Sequence, residues 1–434
     1  MENKIKNIGC LIMLVLTTIA FPTLLLAQST ATDSLDYYIA VAVQNNPGTK
    51  AQKLAYEAYL EKIPQAGAFD DPEFTGEFYP SPMNIIGGRS IANFSVMQRF
   101  PWFGTRKLAR MEAGYESEIQ FQQYKSEMDN LILQVSLQWY EMQKLNEQIN
   151  NNLEQKKFLK NLEELALRKY SSPSGSASLG MSDVLRIRLE QAEVDNNIES
   201  LKALLRSEKA KFNMLLNRDV NETVNIGNAI FKTTFLFQIE DILKSIDANN
   251  PDLLMIEKEI MAYKAKAEKD KKMSYPMLGI GVQYMLIGKT NEEMFKMGSM
   301  NGRDMVMPMV SVSLPLFRKK YHAQQNESVL WQQSNKEKRE NTFNNLKSDL
   351  YGFKNQLDDA ERSIALYEKQ TELALTTYNL TVQEFVTGKG DLTNVIQVQR
   401  QLLDYQLKKA EAIAGYNSMA VSIEKLTSFN TYQK

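Results

Sequence analysis

Apolar residues step by three or four between Thr105 and Tyr170, which is the period of an α-helix. The stepping positions are Met128, Leu131, Val135, Trp139, Met142, Leu145, Ile149 and Leu153. No proline falls between Pro101 and Pro173, and a proline costs about 3 kcal/mol inside a helix. The pattern predicts one helix of roughly 100 Å. A second long helix is predicted from about Lys319 to Phe385.

Each long helix has two shorter predicted companions. They cover about 47–69 and 182–216 in the first half of the chain and 251–273 and 392–427 in the second. Asn46 and Asn250 each precede a proline, and asparagine is a favoured N-cap with proline at the first helical position. The two short helices of each half together match one long helix in length. They are therefore predicted to stack as columns beside the long helices.

Four segments alternate between apolar residues and polar or small ones, the period of a half-buried strand. They are 73–79, 92–98, 277–284 and 310–314. In the first, Phe74 and Phe78 alternate with Glu73, Thr75 and Glu77. A soluble two-sheet sandwich would show the same alternation, but it would have to be reconciled with helices of such length. A barrel with lipid outside and water inside also requires this alternation.

Four strands are too few to close a transmembrane barrel, since the smallest such barrels have about 8. Open strand edges are prohibitive in lipid because their backbone groups lack hydrogen-bond partners. Membrane strands in this chain would therefore require several copies to share one barrel. A dimer would supply about 8 strands and a trimer about 12, and only the larger barrel leaves a substantial water-filled bore.

The chain repeats one unit, since its motifs recur in the same order. Asn45-Asn46-Pro47 returns as Asn249-Asn250-Pro251, and Phe100-Pro101-Trp102-Phe103 returns as Leu314-Pro315-Leu316-Phe317. Gly180-Met-Ser-Asp-Val-Leu is echoed by Gly390-Asp-Leu-Thr-Asn-Val-Ile. We divide the chain into a signal peptide over 1–27, a first structural repeat over 28–230 and a second over 231–434.

The amino terminus has the pattern of an export signal. Two lysines precede an uncharged stretch from Ile8 to Ala27, and polar residues follow. An uncleaved anchor is the alternative, because about 20 uncharged residues can just span a bilayer. Pro22 and the lack of flanking charge after Ala27 favour cleavage. Cys10 is the single cysteine, so the exported chain would hold no disulfide and would depend on packing or assembly.

Composition excludes several classes of protein. The formal net charge is -1, from 51 Lys and Arg against 52 Asp and Glu, so a nucleic-acid partner is not expected. A mean hydropathy of -0.37 excludes a polytopic helical membrane protein. One histidine and one cysteine leave no His/Cys metal site and no thiol nucleophile. We therefore predict no enzyme activity and no cofactor, and we interpret His322 as a solvated surface residue.

The order and spacing of these features resemble outer-membrane efflux proteins of the TolC type, over essentially the whole exported chain. The resemblance rests on the duplicated Asn-Pro, the strand pairs, two tip turns and two strand-to-helix segments. Those segments are Gln98-Arg-Phe-Pro-Trp-Phe-Gly-Thr-Arg106 and Val312-Ser-Leu-Pro-Leu-Phe317. The Phe-Pro-Trp-Phe-Gly stretch is most similar to the heavy-metal branch that includes CusC and CzcC.

The resemblance implies a mainly α fold with a small β part. A long α-helical barrel would continue into a transmembrane β-barrel, built from four strands per chain in a homotrimer. It would span the outer membrane of a Gram-negative cell, in contact with outer-membrane lipid, and extend into the periplasm. A periplasmic adaptor and an inner-membrane pump of RND type would be its partners.

As to function, the resemblance implies the passive exit duct of a tripartite efflux system. The implied cargo is heavy-metal cations such as Cu(I) and Ag(I), or divalent metals. Drug efflux or type I secretion is the alternative within the family. A periplasmic coiled-coil adaptor is the alternative of another class, and the two hairpins and whole-length duplication disfavour it.

The resemblance also places the periplasmic entrance at the two tip turns, 171–181 and 387–391, where the adaptor would dock. Glycines in each turn permit the tight reversals. The docking candidates are Gly175, Gly180, Gly388, Lys389, Gly390 and Asp391.

Four residues match gate positions of the family. Asp183 matches a gate aspartate, although a capping role near the helix start at Ser182 would equally explain it. Asn394 and Gln397 stand where the family often carries an aspartate ring, and amides attract cations less than carboxylates do. Phe385 replaces the usual gate tyrosine and removes a hydroxyl.

Methionines crowd the segment that joins the strands of the second repeat, an expected external loop. Thioether sulfur is a soft ligand suited to Cu(I), which makes Met294, Met297, Met300 and Met305 candidate ligands. Methionine is also a flexible filler of packing gaps, and Met307 and Met309 belong to a strand face. Gap filling is the favoured interpretation.

Three aromatic residues, Phe100, Trp102 and Phe103, follow the first strand pair. They are candidates to anchor at a membrane interface. The alternative is a packing cluster where strand turns into helix, and the two roles are compatible.

Overall fold

The computed structural model describes residues 34–171, 181–227, 229–295 and 298–429. Its helices are α1 (Leu35–Asn45), α2 (Pro47–Ala66), α3 (Thr105–Tyr170), α4 (Met181–Leu215), α5 (Ile239–Asn249), α6 (Pro251–Met273), α7 (Arg318–Val386) and α8 (Leu392–Leu426). Its strands are β1 (Glu73–Ile85), β2 (Gly88–Phe100), β3 (Met277–Gly288) and β4 (Met305–Ser313). The predicted signal peptide lies outside the described residues. Within them, no helix is both long enough and apolar enough to cross a bilayer.

Both predicted long helices are confirmed, with 66 residues in α3 and 69 in α7. The four short companions are confirmed to within a few residues, and α2 ends at Ala66 rather than at residue 69. The periodicity missed α1 and α5, each 11 residues long, which precede the Asn-Pro of their repeats. Helices this short depend on tertiary packing more than on their own pattern. Tyr38 and Ile246 illustrate this, since both are at most 1% exposed.

The helices form neighbouring columns. Helix α3 packs against all four short companions, α2, α4, α6 and α8, whereas α7 packs against α6 and α8. The short helices of the second repeat therefore lie between the two long ones. Three buried apolar clusters result, one around α1 and α3, one near the tip turns and one within the second repeat.

The repeated asparagines join the short helices of each column. Each is an N-cap, as predicted: the Asn46 side chain accepts from Gly48 N at 2.8 Å, and that of Asn250 from Asp252 N at 3.0 Å. Each side-chain amide also donates to the last carbonyl of the other short helix. Asn46 Nδ2 lies 3.0 Å from Leu215 O, and Asn250 Nδ2 lies 3.0 Å from Leu426 O. One asparagine side chain thus caps the first N–H groups of one short helix and pairs with the last carbonyl of the other. The two short helices therefore stack end to end as a nearly continuous column.

The sheet is antiparallel in the order β1-β2-β3-β4. Its strands are longer than predicted. Prolines hide the alternation in two of them, Pro80 and Pro82 in β1 and Pro308 in β4. A proline is tolerated in these strands because they are the two edges of the sheet, where a missing N–H breaks no ladder bond.

A buried carboxylate links α3 to the end of the chain. Asp129 is 1% exposed, and its Oδ2 accepts a hydrogen bond of 2.6 Å from the Ser428 hydroxyl. Its Oδ1 has no hydrogen-bond partner among the described residues. Burial raises the pKa of Asp129 to about 6, partly offset by the Ser428 bond and by Lys425 and Lys125.

We predict that Asp129→Asn stabilises the protein at neutral pH. Because the folded pKa of about 6 lies above the ordinary value of 3.8, the folded state holds its proton more tightly than the unfolded state. Stability should fall as pH rises between these values and stay lowered above them. Asparagine removes this penalty, which is on the order of 2–3 kcal/mol.

Thermal unfolding at pH 4.5 and 7.5 tests this prediction, with protein concentration held fixed. The variant should melt higher than the native chain at pH 7.5 and lose part of its pH dependence. Exposed Asp349→Asn is the matched control and should change little. A lower melting temperature for Asp129→Asn at pH 7.5 would mean that the ionised carboxylate stabilises the fold.

Candidate channel surfaces and gate

The register of the sheet separates one apolar face from one polar face. Cross-strand rows on the apolar face run Phe74–Val96–Val282–Pro308 and Phe94–Tyr284–Val306. Phe78 is 72% exposed and Val310 is 76% exposed on this face. A monomeric soluble protein rarely exposes so large a contiguous apolar patch. The apolar face therefore requires a partner surface or lipid.

Hydrogen bonds connect the side chains of the polar face. Asn93 donates to Glu77 at 3.1 Å and Gln283 donates to Asn93 at 2.7 Å, which links three strands. Arg99 and Glu73 form an ion pair of 2.7 Å near the helical end. Such a face is suited to contact with water. The separation into one apolar and one polar face is the one that the alternation of residues in the sequence predicts.

Methionine is frequent on the polar face. Met97 lies opposite Gly281, which in turn lies opposite Met309. The Ser311 hydroxyl donates a hydrogen bond of 3.7 Å to the Met97 sulfur. A Cβ on Gly281 would lie 3.2 Å from this sulfur, so the thioether covers the glycine. Met307 occupies the same face beside Gln283.

The four candidate metal ligands do not share one loop. Met294 is 86% exposed and Met300 is 53% exposed, in two separate short 3-10 turns between β3 and β4. Met305 begins β4 and lies opposite Met285 on the polar face of the sheet, rather than in the expected loop. Met297 lies outside the described residues. Among the described residues, no group of three or more His, Cys, Asp or Glu is placed to hold a metal ion.

The second tip turn closes α7 with a Schellman motif. Lys389 N donates to Glu384 O at 2.9 Å and Gly388 N donates to Phe385 O at 3.2 Å. Gly388 has a φ of +79°, a conformation that favours glycine. A Cβ on Gly390 would lie 3.0 Å from the Glu384 Cβ and 3.1 Å from Phe385 N. Backbone conformation thus favours glycine at 388 and close packing favours it at 390, whatever binds the turn.

Phe385 lies in the core of the tip. It is 2% exposed and belongs to a buried cluster that includes Leu162, Val184 and Leu392. Lys169 Nζ donates to Phe385 O at 2.7 Å and sits 4.8 Å from the centre of its ring. The side chain therefore packs the ends of four helices against one another.

Charged side chains also bridge the two hairpins near the tip. Arg186 donates to the Thr393 hydroxyl at 2.7 Å. Arg400 pairs with Glu190 through two hydrogen bonds, one of 2.8 Å, and lies 3.9 Å from Glu193. We call Lys169, Arg186, Glu190, Thr393 and Arg400 the tip clasp. Its contacts join α3 to α7 and α4 to α8.

The other gate candidates and the described docking residues of the tip are exposed or half-buried. Asn394 and Gln397 are exposed and three residues apart on α8, so they share a face. Asp183 is half-buried in the first turn of α4, where a carboxylate interacts favourably with the helix dipole. Lys389 and Asp391 are exposed in the second turn. Gly175 and Gly180 lie outside the described residues.

Aromatic residues gather where the sheet meets the helices. Trp102 stacks on Tyr275 with ring centres 5.2 Å apart, and Phe100 packs edge-on to Phe69 at 5.5 Å. Phe103 is 79% exposed. Packing thus explains Phe100 and Trp102, whereas Phe103 remains open to an interface. His322 is exposed, as expected for a surface histidine.

Comparison with known proteins agrees with this geometry. A sequence profile of the family described as outer membrane efflux protein matches residues 242–427. No curated protein matches the chain by sequence. The outer-membrane channel OprN has a similar structure, with a TM-score of 0.71 at 14% identity, covering 91% of this chain and 89% of that one.

Two further solved structures are equally similar. The outer membrane protein VceC of Vibrio cholerae gives a TM-score of 0.72 at 12% identity, covering 91% of this chain and 96% of that one. CusC gives 0.71 at 13% identity, covering 91% of both chains. The chain therefore has the fold of outer-membrane channels, and its second half matches the efflux family. Members of this family are transport ducts and not enzymes. CusC is no more similar than the others, so the heavy-metal branch stays a prediction.

Sequence reasoning identified none of the residues of the tip clasp. Glu190 and Arg400 belong to different repeats, 210 residues apart, and no local pattern pairs them. The echo between the two tip turns placed α4 and α8 at equivalent positions. The equivalent positions of α4 and α8 in the two repeats were the one feature of the sequence that could have suggested contacts between these helices.

Proposed function

We propose that three copies of this chain assemble into the passive exit duct of a tripartite efflux system in the outer membrane. The observation that carries the proposal is a four-stranded sheet with one apolar and one polar face, attached to helices of 66 and 69 residues. The family matched by the second repeat supports it, because its channels are trimers that work with adaptors and pumps.

The two free edges of the sheet support assembly. Strands β1 and β4 each pair on one side only among the described residues. Twelve strands from three chains would satisfy both edges, turn the apolar faces to lipid and enclose the polar faces around water. The helices would continue the bore through the periplasm. Such a duct does no chemistry, and the inner-membrane partner supplies the energy.

The tip would form the periplasmic gate. Docking of an adaptor at the tip turns would loosen the tip clasp and let the hairpins relax outward like an iris. Asp183, Asn394 and Gln397 are the side chains that we propose to face the entrance. An RND-type pump is the proposed inner-membrane partner.

Soft heavy-metal cations are the proposed cargo. The thioethers of Met97, Met307 and Met309 on the polar face support this choice. Thioether sulfur is a neutral, soft ligand that suits Cu(I) and Ag(I), and it would bind these cations without forming an ion pair. Drug efflux or type I secretion is the alternative. Cells that lack the chain should accumulate silver under the first proposal and retain drugs or secreted protein under the second.

Cysteine cross-linking tests the assembly directly. The predicted exported chain contains no cysteine, so introduced pairs can be interpreted without background. Thr75→Cys in β1 is combined in turn with Met305→Cys, Met307→Cys and Met309→Cys in β4. Neighbouring strands bring Cβ atoms to about 4–5.5 Å, close enough for a disulfide at matched positions.

At least one pair should give a covalent species of three times the chain mass after oxidation. Thr75→Cys alone is the matched control, since a single cysteine can join at most two chains. Only monomers or dimers from every pair in a folded preparation would refute the shared barrel.

A further inference from the structure

Two cavities lie side by side where the sheet meets the helices and share Tyr275, Leu314, Pro315 and Tyr321 in their walls. We call them the two lobes of a collar cavity. One lobe has a volume of about 510 Å³. Its wall includes Trp102, Thr105, Arg106, Lys269, Tyr275 and Tyr321. The second lobe, of about 480 Å³, shares both tyrosines and adds Lys271, Arg318 and His322.

Positive charge predominates in this cavity. Four cationic side chains line it against one acidic residue, Asp70. Two of the cations are already engaged: Lys269 pairs with Glu112, and Arg106 donates to the Gly67 carbonyl. The other two, Lys271 and Arg318, form no ion pair with any residue that the structure describes. The cavity is therefore complementary to an anion.

A buried hydroxyl in the same cavity lacks a partner. Thr105 is 7% exposed, and its Oγ1 has no hydrogen-bond partner among the described residues. Leaving a buried polar group without a partner costs free energy, so a ligand that accepts a hydrogen bond from this hydroxyl would be stabilised there. Thr105 also begins α3, and Arg318 begins α7, and neither helix start has a side-chain cap. Free helix N-termini favour anionic oxygen atoms.

Exposed apolar residues lie in the cavity wall or next in sequence to residues that line it. Phe103 is 79% exposed, Leu316 is 77% and Phe317 is 83%. Phe69, beside Arg106, is 50% exposed. A ligand with an anionic head and an apolar tail fits both environments at once, since each part meets a matching surface.

We propose that the collar cavity binds the phosphate-bearing headgroup of an anionic phospholipid, with the acyl chains along the exposed aromatic residues. This inference rests on the proposed function, because an outer-membrane duct would hold the collar at the inner-leaflet headgroups. Lys271 and Arg318 would contact the phosphate, and the Thr105 hydroxyl would donate to one of its oxygens. Trp102 and Tyr275 would pack beside the glycerol backbone.

Native mass spectrometry of the detergent-purified protein tests the proposal, with phosphatidylglycerol compared with phosphatidylcholine. We expect phosphatidylglycerol to bind about tenfold more tightly, or better. The double variant Lys271→Gln/Arg318→Gln should lose most of this preference. The control Lys244→Gln/Arg362→Gln removes two equally basic residues that are 80% and 73% exposed elsewhere, and should keep it.

Two results would overturn the proposal. One is equal binding of the two lipids to the native chain, and the other is an unchanged preference in the double variant. Competition by millimolar inorganic phosphate separates the sources of the anion: full displacement would mean a free-phosphate site and not a lipid site. Lipid binding is read without any channel activity, so a failed duct and a failed lipid site give different results.

Discussion

Replacing Phe385 with alanine is expected to loosen the packing between the two helical hairpins at the tip and so to open the proposed gate. The side chain is 2% exposed and fills the cluster between the ends of four helices. Truncation of a buried phenylalanine costs about 3–5 kcal/mol, and here the loss falls on the cluster that joins the ends of the four helices. The tip should therefore loosen while the rest of the fold stays intact.

Hydrogen exchange and single-channel recording measure this effect together. Amides of 384–396 should exchange faster, and conductance in a planar bilayer should rise. Phe385→Leu keeps most of the volume and should have a much smaller effect. Leu373→Ala, at a position 58% exposed on the same helix, is the matched control. Unchanged exchange at the tip in Phe385→Ala would show that this cluster does not hold the gate shut.

Replacing Asn250 with alanine is expected to destabilise the second repeat. The residue is 3% exposed; its Oδ1 accepts hydrogen bonds from Asp252 N and Leu253 N, and its Nδ2 donates one to Leu426 O. Loss of an N-cap costs about 1 kcal/mol, and an unpaired buried carbonyl costs about 1–3 kcal/mol. Together the expected loss is about 2–4 kcal/mol.

Asn250→Ser separates these two contributions, because serine retains the cap but cannot reach the end of α8. It should recover roughly the capping part in thermal unfolding. Asn46→Ala is the equivalent change in the first repeat and should act in the same direction. Equal melting temperatures for Asn250→Ala and the native chain would contradict the joined columns.

The two long helices and their four companions could be predicted because their signals are local, whereas α1 and α5 were missed. The apolar period and the absence of proline set the bounds of α3 and α7, and Asn-Pro marked the start of α2 and α6. The two faces of the sheet were equally predictable, since the alternation along each strand assigned Phe74 and Val282 to its apolar face. The ends of β1 and β4 were not, because prolines interrupt the pattern at sheet edges.

The candidate site was harder to predict because its contacts join distant parts of the chain. Glu190 meets Arg400 across the two repeats, and Thr105 meets the residues around Tyr275 only once both strand pairs are in place. Phe385 illustrates a second difficulty. Its position in the sequence suggested a gate, and its place in the fold is a buried core. Position along the chain did not reveal which way the side chain faces.

Single-channel recording of the native chain in a planar bilayer tests the central proposal most directly. A trimeric duct with a closed tip should give discrete conducting steps that are small at rest and grow in Asp183→Ala. Large steps from both proteins would keep the duct and remove Asp183 from the gate. A folded, oligomeric preparation that gives no steps under any condition would contradict the proposal that this chain forms a duct.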